Sequence, residues 1–236
     1  MKKVLVGFGD SWTFGSELEY PSKQCWLTQL ATTMNVEHCN MSMPASSIGH
    51  LTVQLFNFIK QNPNFENSKL IFMVGLTGLT RYLSYNNANS EFVNITPEAV
   101  YSTTKNSNSN RPPDTVDYMS QLAQLTYKQV EDAKYNEFIT AQTITLFQQF
   151  CNYNEIDCLF FSYFDKPVFI NYEHMIAKDY IYPTTITEAL TGNEYSIPDI
   201  RNNKYFDGKL FHPNALGHTR IAELLKEFYD KIYPRD

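Results

Sequence analysis

Cysteine is scarce and badly spaced for structural work. Cys25, Cys39, Cys151 and Cys158 form no Cys-x-x-Cys pair, so neither a metal knuckle nor a disulfide framework is expected, and the four read as reduced core thiols. Long apolar runs are also missing. None approaches the roughly 18 residues that would suggest a membrane span, and Met1-Lys2-Lys3 leads directly into a strand too short for the apolar core of an export signal. Cytoplasmic synthesis without export is therefore expected. No block of like charge occurs, and a formal charge of -6 argues against duplex nucleic acid or an anionic membrane as partner, since both need a basic stripe. A neutral glycan or a small ester stays compatible with that charge. With 9 Gly and 11 Pro the chain is too poor in both for general disorder, and no repeat or domain boundary divides it.

What is abundant suits a packed globule. Apolar residues make up 43% and aromatics 15% of the 236 positions, and a chain of this length buries roughly 70–75% of its extended surface on folding. Val4–Phe8, Val36–Cys39, Leu70–Val74 and Cys158–Ser162 read as short strands, the first buried and the third with no polar alternation, as in a strand covered on both faces. Apolar spacing predicts helices over about Ser22 to Met34, from Ser46 or Ser47 through Ile59, within Thr115 to Asn152, and over about Asn214 to Ile232. Alternating strands and helices predict one three-layer α/β/α domain spanning residues 1–236 with a central parallel sheet of about five strands. The Asn- and Ser-rich stretch 86–114 reads as a long inserted loop, with lid and linker both open, and 163–203 reads as an irregular stretch with short helical pieces, its loops bordering a cleft.

Candidate chemistry concentrates at strand ends. Gly9-Asp10-Ser11-Trp12 follows the first strand, so Ser11 is expected at the carboxyl edge of the sheet, where open α/β folds bind ligands. Near the other end, Phe206-Asp207-Gly208-Lys209-Leu210-Phe211-His212-Pro213 supplies a carboxylate and an imidazole before the last helix. A serine hydroxyl needs a base to take its proton as it attacks an acyl carbon, and neutral imidazole suits that task. The base would be His212; His38, His50, His174 and His218 lack its context and read as structural. Dinucleotide binding at Gly7-x-Gly9 fails because Trp12 stands where the third Gly of that fingerprint belongs.

Together with Asn40-Met41-Ser42-Met43-Pro44-Ala45-Ser46-Ser47 and Gly75-Leu76-Thr77, these segments run in the order of the SGNH or GDSL hydrolases, which the sequence resembles over nearly its whole length. The resemblance implies a flavodoxin-like fold and a cofactor- and metal-independent serine esterase, with an acyl-enzyme on Ser11 and His212 as general base. It also implies an oxyanion hole from the N–H groups of Ser11 and Ala45 and a third donor at Thr77. Two of the oxyanion positions depart from the family pattern: Ala45 replaces Gly and Thr77 replaces Asn. Gly75, Thr77 and Arg81 look similar to a phage-type variant, which would make a virion-associated location compatible.

The family places Asp three residues before its His, where this chain has Lys209. Asp207 lies five before, so either a bulge returns Asp207 to the imidazole or a main-chain carbonyl orients it. Trp12 and Arg81 are assigned to substrate, Arg81 alternatively to bracing its loop. A small acyl group, such as acetyl on a sugar, fits the Tyr residues of the expected cleft loops (Tyr82, Tyr85, Tyr163, Tyr180, Tyr182). The alternatives are an inactive glycan-binding or structural relative, and a lipid or thioester acylhydrolase or acyltransferase.

Overall fold

The computed structural model describes residues 2–78, 82–86, 91–95, 133–164, 166, 169–193, 203–206 and 212–234. Its centre is a sheet of five strands, all parallel: β1 (Lys2–Phe8), β2 (Glu37–Asn40), β3 (Ser68–Leu76), and, after a separate hairpin, β6 (Asp157–Ser162) and β7 (Ile181–Thr185), in the order β2-β1-β3-β6-β7. The hairpin pairs β4 (Tyr82–Asn86) with β5 (Glu91–Ile95) antiparallel, so part of the region read as a long loop is strand. Most of 86–114 lies outside the described residues, as does 115–132 of the predicted third helix.

Parallel strands need crossovers, and the helices that provide them cover both faces. One face packs Leu5, Ile71, Met73, Leu159 and Phe161 against α3 (Trp26–Met34), α6 (Ile186–Thr191) and α7 (Ala215–Ile232). The other packs Val6, Phe8, Phe72, Val74 and Phe160 against α4 (Ile48–Gln61) and α5 (Ala133–Tyr153). Successive residues of β3 point to opposite layers, and each finds an apolar cover, which is why Leu70–Val74 shows no polar alternation. The four cysteines are free, as expected of reduced thiols. No helix among the described residues is long and apolar enough to cross a membrane.

Two local departures from the expected elements have clear causes. The helix predicted from Ser22 is two pieces, α2 (Pro21–Gln24) and α3, because Cys25 is extended (φ -61, ψ 140) while its Sγ donates to the Thr13 carbonyl at 3.0 Å. Within 163–203, α6 is a short helical piece of the kind expected, and the departure is the strand β7. β7 is an edge strand interrupted by a register shift and carries Pro183, so neither alternation nor propensity marks it.

Strand order fixes where ligands can approach. From β1 the chain crosses by α3 to β2 on one side, then by α4 on the opposite face to β3 on the other side of β1. The connections at the carboxyl ends of β1 and β3 thus diverge to opposite faces and open a crevice between them. Ser11 follows β1, Ala45 lies in the β2–α4 connection and Thr77 follows β3.

Candidate active site

The serine turn is held by its own backbone. α1 (Ser11–Phe14) is a single turn: Asp10 occupies its N-cap and accepts from the Trp12 N–H at 3.0 Å, and Gly15 closes it in the left-handed region. At its first residue the Ser11 N–H has no intrahelical acceptor, and it donates to no described residue. Gly9 makes the tight entry possible, because a Cβ there would lie 2.1 Å from Thr13 Oγ1.

From α4, the buried Gln54 reaches across and clamps Gly9 on both sides. It accepts from the Gly9 N–H at 2.9 Å and donates to its carbonyl at 2.8 Å and to Ser46 Oγ at 2.9 Å. Asn40 ties the second loop to the first, donating to the Thr13 carbonyl at 3.0 Å. Beneath them Thr13 hydrogen-bonds the fully buried Tyr163 hydroxyl.

Ser11 and His212 meet across 201 positions of sequence, with Nε2 2.8 Å from Oγ. The other ring nitrogen, Nδ1, faces Glu17 Oε1 at 3.2 Å, an ion-pair distance off the line of an aligned hydrogen bond. A carboxylate on that side favours the tautomer with the proton on Nδ1, which leaves Nε2 free to accept from the serine O–H. Pro213 anchors the His212 segment by bridging to Phe206, and Asn214 caps α7, accepting from the Gly217 N–H at 3.0 Å.

The two other expected oxyanion donors lie in the connections after β2 and β3. Ala45 sits third in the turn Met43-Pro44-Ala45-Ser46, which the Ser46 N–H closes onto the Met43 carbonyl at 3.2 Å. Its φ of +62 is the left-handed value that such a Pro-led turn demands. Its N–H donates to no described residue. Thr77 is 3% exposed and its hydroxyl has no described partner, which is costly for a buried polar group unless something else uses it.

The left-handed Ala45 carries a strain of about 1 kcal/mol that glycine would not feel. Ala45→Gly is expected to raise the unfolding midpoint by about 2–4 °C with hydrolysis unchanged within a few-fold, as read by calorimetry and an ester assay.

Other expectations fare differently. Trp12, assigned to substrate, is 2% exposed and packs on Tyr163, Phe164 and Phe206, so its ring serves the core. Tyr163 is buried, Tyr180 stacks on Tyr233 and Tyr182 packs on Phe228, so none of these three borders the site. Arg81, Asp207 and the side chains of Tyr82 and Tyr85 lie outside the described residues. A cavity of about 630 Å³ lined by Lys3, Lys69 and Asp157 lies at the amino ends of the strands, away from Ser11. No cluster of metal-ligating side chains occurs among the described residues.

Sequence reasoning missed Gln54 and Glu17. Gln54 was visible, with His50, as a polar residue on the apolar face formed by Leu51, Leu55 and Phe58. Glu17 carried no signal, since nothing in a Gly-Ser-Glu turn foretells a φ of +70.

No protein-family profile and no curated protein matches the sequence. Solved structures do resemble the fold. The psychrotrophic esterase EstA from Pseudoalteromonas sp., inhibited by monoethylphosphonate, is 10% identical with a TM-score of 0.52, covering 100% of both chains. The acetyl xylan esterase Est2A from the rumen bacterium Butyrivibrio proteoclasticus is 10% identical with a TM-score of 0.53 over 98% of this chain, which spans 64% of that protein. Five parallel strands between two helical layers, together with these likenesses, give the chain the three-layer α/β/α fold of the SGNH hydrolases.

Proposed function

We propose that this protein is a serine esterase that cleaves a small acyl ester. The single observation that carries the reading is the 2.8 Å approach of His212 Nε2 to Ser11 Oγ. As Oγ bonds to the acyl carbon, its proton passes to Nε2 and the carbonyl π electrons move onto oxygen. The resulting oxyanion accepts from the N–H groups of Ser11 and Ala45 and the Thr77 hydroxyl, each such donor being worth about 10²–10³ in rate. The ester C–O bond then breaks, the departing alkoxide takes the proton back from His212, and an acyl-enzyme remains. Water repeats the sequence with His212 as base and releases the acid.

Acetyl on a carbohydrate is the substrate class we favour, from the likeness to an acetyl xylan esterase and from the site's rim. Phe14, Tyr20, Met43 and Leu216 present exposed apolar side chains on the segments that carry Ser11, Glu17, Ala45 and His212, a surface able to lie against a sugar face. A fluorophosphonate probe tests the chemistry: labelling of the wild type and none of Ser11→Ala is expected. An unlabelled wild type would leave a glycan-binding protein of the same fold.

A further inference from the structure

We infer that the carboxylate positioning His212 is Glu17, from the serine's own loop, and not an aspartate preceding the histidine. The inference rests on the serine-esterase reading. It starts from a requirement of the chemistry: when Nε2 takes the serine proton the ring becomes a cation, and an anion at Nδ1 both fixes the ring beforehand and stabilises that cation.

Among the described residues Glu17 is the one carboxylate within 4.0 Å of His212, and no Lys or Arg nitrogen lies within 4.0 Å of Glu17. Nδ1 has no other described partner. The pair is partly sheltered, with the His212 and Glu17 side chains 19% and 27% exposed, so its attraction is only partly screened by water.

A second observation is independent of the distance. Gly15 ends α1 at φ +82, and two residues later Glu17 itself stands at φ +70, a conformation that costs a residue with a Cβ about 1–2 kcal/mol. The Ser16 N–H and the Gly15 N–H both donate to the Ser11 carbonyl, at 2.9 and 3.0 Å, so the loop doubles back on the nucleophile's own residue. Glu17 leaves that doubled turn on the side where His212 approaches. Strain of this kind persists where surrounding structure enforces it, and it gathers at functional sites.

The origin of the acid has a physical consequence. Ser11 and Glu17 are six positions apart and joined by α1 and the turn that hydrogen-bonds back to the Ser11 carbonyl, so nucleophile and positioning carboxylate move as one body. The segment bearing His212 then docks between them, and base alignment depends on that docking alone.

The test compares Glu17→Gln, Glu17→Asp, Glu17→Ala and Asp207→Asn in p-nitrophenyl acetate hydrolysis, with thermal unfolding and fluorophosphonate labelling of each. Glu17→Gln is expected to lower kcat about 10–100-fold with KM and Tm little changed. That is less than the about 10⁴ known for a fully buried triad aspartate, because this pair is partly exposed. Glu17→Asp should keep part of the rate, formate should restore part of it to Glu17→Ala, and Asp207→Asn should stay within about threefold of wild type. A merely structural role would give neither the kcat-only loss nor the formate rescue.

The inference falls if Glu17→Gln retains more than half of kcat, if Asp207→Asn collapses kcat while Glu17→Gln does not, or if formate restores nothing. In those cases labelling of the wild type at Ser11 leaves the esterase reading standing. An unlabelled, inactive wild type overturns both.

Discussion

Replacing Ser11 or His212 by alanine is expected to lower kcat for p-nitrophenyl acetate by about 10⁴–10⁶, and replacing both is expected to cost no more than either alone. The non-additivity follows from the geometry. Oγ and Nε2 share one hydrogen bond of 2.8 Å, and each atom has a role in the reaction only through the other. Without the imidazole, the hydroxyl has no base to take its proton. Without the hydroxyl, the imidazole has nothing to deprotonate except water, held where no bond forms. What survives is the contribution of the oxyanion donors and of substrate binding, about 10³–10⁴ over the uncatalysed rate. Neither substitution should disturb folding, since Ser11→Ala removes one oxygen and the His212 side chain is 19% exposed. Steady-state kinetics of the two single variants and the double variant, with circular dichroism to confirm the fold, decide the matter. A double variant slower than either single by another 10²-fold would mean that the two side chains act independently.

Much of this arrangement was legible in the sequence because it depends on features that sequence records directly. The apolar run ending at Gly9 marks a strand end and the run before Gly75 comes within two residues of one, and two strand ends on either side of a crossover reversal put Ser11 and Thr77 at one crevice. Asn214 announces the last helix as its cap, and His212 then falls where that helix begins. The unread parts are those decided by tertiary contact. Trp12 looked like a ligand-facing aromatic beside a nucleophile, yet a one-turn helix points it inward onto Tyr163 and Phe206. Gln54 gives no sequence cue to its partner, because Gly9 is 45 positions away. Glu17 depends on a backbone dihedral that its residue type disfavours. The edge strand β7 breaks period-two patterning with Pro183 and a register shift, and only its pairing with β6 reveals it.

His218, which the sequence marked only as a structural histidine, gives the largest expected effect on stability. It is fully buried in α7, and its Nδ1 accepts from the Trp26 N–H at 3.2 Å. That N–H opens α3, whose N-cap residue Cys25 supplies no side-chain acceptor, so a histidine from a distant helix satisfies a donor the helix leaves unpaired. The role requires a neutral ring, since a proton on Nδ1 would face the amide hydrogen. Burial, and then the charge of neighbouring His212, lowers the His218 pKa from 6.5 to about 3. The unfolded chain therefore takes up a proton below pH 6.5 that the native state refuses. The sign follows: the contribution is fully present above pH 6.5 and is lost as pH falls from 6.5 toward about 3, by about 1.4 kcal/mol per pH unit and about 4–5 kcal/mol in all. Chemical unfolding of the wild type and His218→Asn at several pH values isolates this group, because the other titrations cancel in the difference. Asparagine can offer its own oxygen to Trp26 but fills less space, so the variant should be less stable at pH 7.5 by about 1–3 kcal/mol. Having no titrating ring, it should lose less as the solution is acidified, and the two curves should converge and cross between pH 6 and 4. Parallel curves over that interval would mean that His218 is protonated in the folded protein as readily as in the unfolded chain.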